Sequence, residues 1–309
     1  GQGGFGITYL ASQVALNRKV TIKEFFMKEL CNRDEQTSQV SVPSMGSVDT
    51  VARFRAKFVK EAQTIAALNN PHIIHIHDIF EENGTAYYVM DYLSGGSLSD
   101  LVLRDGVLAE ATALGYIRQV ADALSYIHAR NINHLDIKPS NVLIDGNGNA
   151  VVIDFGLSKR YDETGSQTST TPVGISHGFA PLEQYQPGGV STFSPTTDIY
   201  SLGATLYKLL SGQTPPNATA LLDADLDLSR LSASPSTKAA IAAAMQPKRK
   251  GRPQTVEAFI AMLDEKVVPS VAAPIQPTVD EEVTVIAHEP EVPQPTVEKP
   301  SVTQAKKEK

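Results

Sequence analysis

Residues 134–141 read HLDIKPSN, and residues 142–156 continue VLIDGNGNAVVIDFG. Four side chains in this stretch carry complementary chemistry. Asp136 is a carboxylate suited to accept the proton of a hydroxyl, and Lys138 a cation suited to a phosphoryl group in transfer. Asn141 offers a neutral oxygen to Mg²⁺, and Asp154 a hard carboxylate oxygen to the same ion. Between Asn141 and Asp154 the apolar runs VLI and VVI flank Asn147-Gly148, a dipeptide that predicts a β-hairpin. The same DGNGN segment could suggest a calcium loop. Its strand-like flanks and the missing distal glutamate argue against that.

Outward toward the N-terminus, residues 1–6 read GQGGFG, placing Gly1, Gly3 and Gly6 in a G-x-G-x-x-G pattern. Alone the pattern is weak, because it also marks dinucleotide folds, where a helix opens at the third glycine. Here ITYLA follows, then a polar turn and VTIKEFF, all strand-like. A glycine-rich hairpin over a triphosphate fits better, since residues without side chains let backbone N–H groups approach phosphate. Lys23 in VTIK is then the candidate for the α- and β-phosphates. Glu61, in the apolar-periodic helix expected over Val51 to Leu68, is the natural carboxylate to hold its ammonium.

Strand-like runs IIHIHDIF and TAYYVMDYL, joined by Asn83-Gly84, follow that helix. Asn32 to Thr50 is polar and serine-rich and reads as a loop. After Ser94-Gly95-Gly96 the pattern turns helical, over Ala111 to Ala129, Asp198 to Ser211, Ser236 to Met245 and Thr255 to Lys266. The expected organisation is a β-rich unit over residues 1–93 and a helical one over 94–266. Residues 267–309 are rich in Val, Pro, Glu and Thr and lack aromatics. Such a composition does not bury enough apolar surface to offset ordering, so a disordered tail is expected.

Composition bounds the classes. With 309 residues, 41% hydrophobic and 20% charged, the chain suits a globular fold. A net charge of -7 gives no general electrostatic case for nucleic acid. Cys31 is the single cysteine, which excludes an internal disulfide and fits a reducing, cytoplasmic setting. No apolar run is long enough to span a membrane. The chain opens at Gly1 inside a motif and is expected to be a piece of a longer protein. A membrane role would need a transmembrane helix beyond Lys309.

Taken together, the glycine loop, Lys23, HLDIKPSN and the DFG at Asp154 resemble the protein kinase superfamily, and most closely the bacterial serine/threonine kinases similar to eukaryotic ones. The resemblance runs over Gly1 to Glu265 and implies an α+β, two-lobed fold with a small β-rich N-lobe and a larger helical C-lobe. It implies ATP and Mg²⁺ as cofactors, with Mn²⁺ as the alternative ion, and proteins with Ser/Thr acceptors as substrates. Autophosphorylation and dimerisation are compatible with it. By this resemblance Lys23, Glu61, Asp136 and Lys138 are catalytic, and Asn141 and Asp154 hold metal. Nucleotide contacts fall on Gly1, Gly3, Gly4, Phe5, Gly6, Thr8, Thr21 and Lys23, on the gatekeeper Met90, on the adenine-binding segment from Asp91 to Leu93, and on Ser97 at the ribose. Glu183 in GFAPLEQY is expected to pair with Arg252, Asp198 to clamp the catalytic-loop backbone, and Ser176 to stand where a threonine faces the substrate.

The sequence departs from that pattern at Leu135, where an arginine usually stands, at Thr8 and Thr21 in the adenine roof, at Leu182 in place of a proline, and in an incomplete first strand. A nucleotide-binding scaffold without activity would be expected to lose Lys23, Asp136 or Asp154, and all three are present. A small-molecule phosphotransferase would lack the Glu183/Arg252 and Asp198 features. His72, His75 and His77 form a further cluster. A strand with alternating polar residues accounts for it, because no cysteine or acidic cluster accompanies it in sequence.

Overall fold

The structure is a computed structural model that describes residues 6–155, 159–160, 175–185 and 193–264. The expected tail from 267 onward lies outside the described residues, as do Gly1, Gly3, Gly4, Phe5 and Gly156.

Residues 6–91 build an antiparallel four-stranded sheet in the order β1 (Gly6–Gln13), β2 (Arg18–Phe25), β6 (Thr85–Asp91), β5 (Ile76–Glu82). The β1–β2 register places Thr8 opposite Lys23, and the β2–β6 register places Thr21 opposite Met90. Asn83 and Gly84 close the β5–β6 hairpin with φ of 50° and 72°. That is the left-handed pair a two-residue hairpin requires, and Asn-Gly supplies it at least steric cost. Helix α1 (Val48–Ala66) lies against this sheet. Its buried residues Val51, Phe58, Ala62 and Ile65 recur at helical spacing, and the Phe58 ring sits 5.0 Å from Tyr88 and 5.8 Å from Phe25.

The segment read as a loop contains a short hairpin, β3 (Asn32–Arg33) with β4 (Val40–Ser41). Its anchor lies outside the hairpin, on β2. Arg33 Nη2 meets Glu24 Oε2 at 2.6 Å, and the fully buried Glu24 carboxylate also accepts from Tyr9 Oη (2.7 Å) and Tyr87 Oη (3.0 Å). A carboxylate buried without such partners would cost several kcal/mol. Asp34 shapes the turn by accepting from the amides of Gln36 and Thr37.

The remaining described residues form a mainly helical unit. Helix α2 (Leu98–Asp105), which the sequence reading passed over, opens on a capping box: Ser97 Oγ accepts from the Asp100 amide and Asp100 accepts from the Ser97 amide. Helices α3 (Glu110–His128), α4 (Pro195–Ser211), α5 (Pro235–Ala244) and α6 (Val256–Asp264) pack around one core. α4 is buried along most of its length, and at Gly203 an added Cβ would lie 2.6 Å from Ala244 Cβ on α5. Strands β8 (Val142–Ile144) and β9 (Ala150–Val152) form the expected hairpin, with Asp145 accepting from the amides of Asn147 and Asn149 at its turn. β7 (Ile132–Asn133) pairs with β10 (Lys159–Arg160). Backbone bonds tie the two parts together: Ile74 N to Val152 O (3.0 Å) and Val152 N to His72 O (2.8 Å).

Candidate active site

The loop between β7 and β8 carries HLDIKPSN, and Asp198 on α4 fixes its shape. Asp198 is fully buried; Oδ2 accepts from the His134 amide (2.9 Å) and from His128 Nε2 (2.8 Å), and Oδ1 from the Leu135 amide (2.7 Å). Burial would raise this carboxyl, but these donors outweigh it and hold the group below the ordinary range. The clamp supports a left-handed backbone at Leu135 (φ 66°), a conformation that is strained for a branched side chain. His134 is buried behind the loop. Its Nε2 lies 3.2 Å from the Ile153 carbonyl and its Nδ1 accepts from the Asp136 amide, which fixes a neutral Nε2–H tautomer. Burial lowers its pKa, in keeping with that neutral state, and its ring packs 4.6 Å from Phe155.

The loop delivers Asp136, Lys138 and Asn141 to one cluster. Lys138 Nζ donates to Asp136 Oδ2 (2.8 Å) and to Ser176 Oγ (2.9 Å), and Ser176 Oγ donates to Asp136 Oδ1 (2.5 Å). Asn141 Nδ2 donates to the Asp136 carbonyl and to Oδ2, both at 2.9 Å. With its amide nitrogen committed there, the Asn141 side-chain oxygen is the atom left to a cation. Asp136 therefore faces a cation and a serine hydroxyl, the setting a proton acceptor for a hydroxyl needs.

Lys23 on β2 reaches Asp154, Nζ to Oδ1 at 3.0 Å, across a separation of 131 residues. Asp154 is itself left-handed (φ 61°). Burial would lower the Lys23 ammonium, yet the Asp154 charge overrides it and the net shift is upward; Lys23 in turn holds Asp154 below the usual carboxylate range. The expected Lys23–Glu61 ion pair is not formed. Lys23 is drawn to the carboxylate it contacts directly, and Glu61 acts on it only through the field. Desolvation pushes the partly buried Glu61 carboxyl up to about 7, against the lowering pull of Lys23.

The expected nucleotide-contacting residues line up along the β1–β2–β6 strands. Gly6 opens β1, where an added Cβ would lie 2.6 Å from the Glu24 carbonyl oxygen. Thr8 and Thr21 are half-buried on β1 and β2. Met90 is buried on β6, followed by Asp91 at the strand end and Leu93 just beyond. Ser97, expected at the ribose, caps α2. Its hydroxyl donates to Asp100 Oδ2 (2.7 Å) and accepts from the Asp100 amide (3.1 Å), so capping α2 competes with any ribose contact.

Arg252 and Glu183 form a buried two-pronged pair, Nη1 to Oε1 at 2.8 Å and Nη2 to Oε2 at 3.1 Å. Gln184, which sequence reasoning missed, donates from Nε2 to the Leu135 carbonyl at 2.7 Å. Nothing local in the sequence signals that contact, because its partner lies 49 positions away.

Residues 1–263 match the family model described as the protein kinase domain. The chain belongs to the protein kinase family. This kinase domain is 34% identical over 215 residues to the serine/threonine-protein kinase PrkC of Bacillus subtilis, covering 70% of this chain and 30% of that protein. It is 33% identical over 219 residues to the serine/threonine-protein kinase PknB of Mycolicibacterium smegmatis, covering 70% and 32%. The chain thus spans about a third of the length of the curated relatives it matches. A solved structure described as the apo form of PpkA-294 is similar with a TM-score of 0.71 and 29% identity, over 85% of this chain and 93% of that one. The kinase domain is of the bacterial, eukaryotic-like serine/threonine type, and no described helix is long and apolar enough to cross a membrane.

Proposed function

We propose that this domain transfers the γ-phosphoryl group of ATP to serine or threonine hydroxyls of proteins in the cytoplasm, its own chain among them. The observation that carries the reading is the cluster of Asp136, Lys138, Asn141 and Ser176, with Lys23 and Asp154 as the second charged pair. The acceptor oxygen forms a bond to the γ-phosphorus, the β–γ bridging P–O bond breaks, ADP leaves, and the acceptor proton passes to Asp136. Lys138 offsets negative charge on the group in transfer. Ser176, bonded to both, presents a small hydroxyl beside the proton acceptor, which favours Ser/Thr acceptors.

The donor set suits a hard divalent cation. Asp154 uses only Oδ1 on Lys23, and Asn141 retains its side-chain oxygen, so these two would hold Mg²⁺. When bound, the ion neutralises charge on the phosphate oxygens. Lys23 positions the α- and β-phosphates, with Glu61 as its alternative carboxylate. Gly6, Thr8, Thr21, Met90 and the segment from Asp91 to Leu93 enclose the nucleotide, together with the glycines and Phe5 that lie outside the described residues. We divide the domain into an N-lobe ending at Leu93 and a C-lobe ending at Lys266.

The test is label transfer from γ-labelled ATP with Mg²⁺, to casein-like proteins and to aminoglycosides in parallel, with hydrolysis of the product to identify the labelled amino acid. Phosphoserine or phosphothreonine is expected. Label on the small molecule alone, or on tyrosine alone, would overturn the assignment.

A further inference from the structure

Of the three histidines in the PHIIHIH run, His72 is committed elsewhere, its Nδ1 lying 2.9 Å from the Ala150 carbonyl. The other two converge. His75 immediately precedes β5. His77 sits where the β5–β6 register shifts, Ile76 pairing with Met90 and Asp78 with Val89, so His77 is the bulged residue with no cross-strand partner. Bulges of this kind re-aim a side chain away from the regular ladder. His77 is aimed at Asp91, the last residue of β6: Nε2 lies 2.7 Å from Oδ1. A carboxylate only accepts, so that contact places the proton on Nε2. The neutral ring then keeps a lone pair on Nδ1, and this atom lies 3.1 Å from Nδ1 of His75.

We propose that His75 and His77 form a binding site for a borderline transition-metal dication of the Zn²⁺, Ni²⁺ or Cu²⁺ class, with Asp91 orienting the His77 ring. Two imidazole nitrogens each bound at ~2.0–2.1 Å and separated by this distance subtend an angle of about 100° at the ion, between square and tetrahedral values. The carboxylate behind His77 is the partner that metal-bound histidines ordinarily carry, fixing the tautomer and raising ligand basicity. These three residues are the one group of its kind among the described residues, with ligand atoms all within 4.8 Å of one another. Nitrogen donors separate the site from the oxygen donors at Asn141 and Asp154, which suit Mg²⁺. His75 is exposed, so an ion has access from solvent, and water fills the remaining positions.

The experiment is calorimetric titration of the untagged chain with Ni²⁺ and with Zn²⁺ under saturating Mg²⁺, which occupies the oxygen sites. One ion per chain is expected to bind more tightly than about 0.1 mM. Co²⁺ should give a visible spectrum with nitrogen ligation. His75→Gln, on the surface, should weaken binding by at least about tenfold without changing the stoichiometry of Mg²⁺ binding, and Asp91→Asn should weaken it by about 10–100-fold. The His75→Gln, His77→Gln double variant, checked for an unchanged melting profile, should bind none. Absence of binding to the parent chain would overturn the site, as would equal affinity in His75→Gln.

Discussion

Gln184 Nε2 donates to the Leu135 carbonyl oxygen at 2.7 Å, and both residues are buried. The bond joins the LEQ turn (Leu182–Gln184) to the catalytic loop at its left-handed residue. In kinases with an arginine at the Leu135 position, a phosphate on the intervening loop makes that connection by charge-assisted hydrogen bonds. Leucine has no donor to offer. Here the Gln184 amide adds to the Asp198 clamp on the loop, and the expectation is that the catalytic geometry does not depend on phosphate. Phosphatase treatment, with mass spectrometry to verify loss of phosphate from Ser166, Thr168, Ser169, Thr170 and Thr171, should lower initial rates by less than about threefold, roughly 0.6 kcal/mol in barrier. Those five residues lie outside the described part of the chain. A hundredfold drop, restored by autophosphorylation, would show that phosphate is the switch after all.

The same contact predicts a stability effect. Gln184→Leu removes the donor and leaves the Leu135 carbonyl buried without its partner. A loss of about 1–3 kcal/mol in chemical denaturation is expected, with a larger proportional fall in kcat than in nucleotide affinity. An unchanged denaturation midpoint would mean that water or another donor replaces the amide without cost.

Arg252 and Glu183 offer a sharper electrostatic test. Removing Arg252 leaves a carboxylate that is only 4% exposed with just the Thr197 hydroxyl (2.9 Å) and the more distant Arg249 (3.6 Å), whereas removing both charges leaves no such group. Arg252→Met should therefore cost about 3–5 kcal/mol, and adding Glu183→Gln should return part of that loss. Losses that simply add in the double variant would contradict the coupling.

Glu61 predicts a pH dependence whose sign is fixed. Its folded pKa of about 7 lies above the ordinary carboxylate value, chiefly because of burial. Between those two values the folded chain holds a proton that the unfolded chain releases, so this group's contribution to stability falls as pH rises toward 7. Glu61→Gln carries no such proton. The variant should match the parent chain near pH 4, below both values, and be more stable by roughly 1–3 kcal/mol near pH 7.5, with phosphoryl transfer impaired throughout. The Asp154 contribution, of opposite sign, is common to both chains and cancels. A stability difference independent of pH would show that Glu61 is ionised across the range.

Much of this site is legible in the sequence because its chemistry demands particular residues close together along the chain. Asp136, Lys138 and Asn141 sit on one tight loop, and the β8–β9 hairpin returns Asp154 beside them; residue types and turn signals suffice to read that. What stayed hidden depends on partners in other elements. The β3–β4 hairpin looks like a polar loop until Glu24 is seen to bind Arg33. His75 and His77 lack an acidic companion until β6 brings Asp91 alongside. Lys23 had two carboxylates within reach, and spacing alone did not decide between Glu61 and Asp154. Ser97 is a different case: its capping box with Asp100 is local in sequence, three residues apart.

The central claim is that Asp136 takes the acceptor proton while Asp154 serves the nucleotide and its metal. The most direct measurement compares Asp136→Asn with the parent chain in two assays: label transfer from γ-labelled ATP to a Ser/Thr protein substrate, and calorimetric affinity for ATP with Mg²⁺. Asparagine keeps the size of the side chain and can still accept from Lys138, so the nucleotide site should persist. The account predicts a fall of at least about 10²-fold in transfer with ATP affinity within about threefold of the parent. Parent-like turnover in Asp136→Asn, or loss of ATP binding in step with activity, would contradict it.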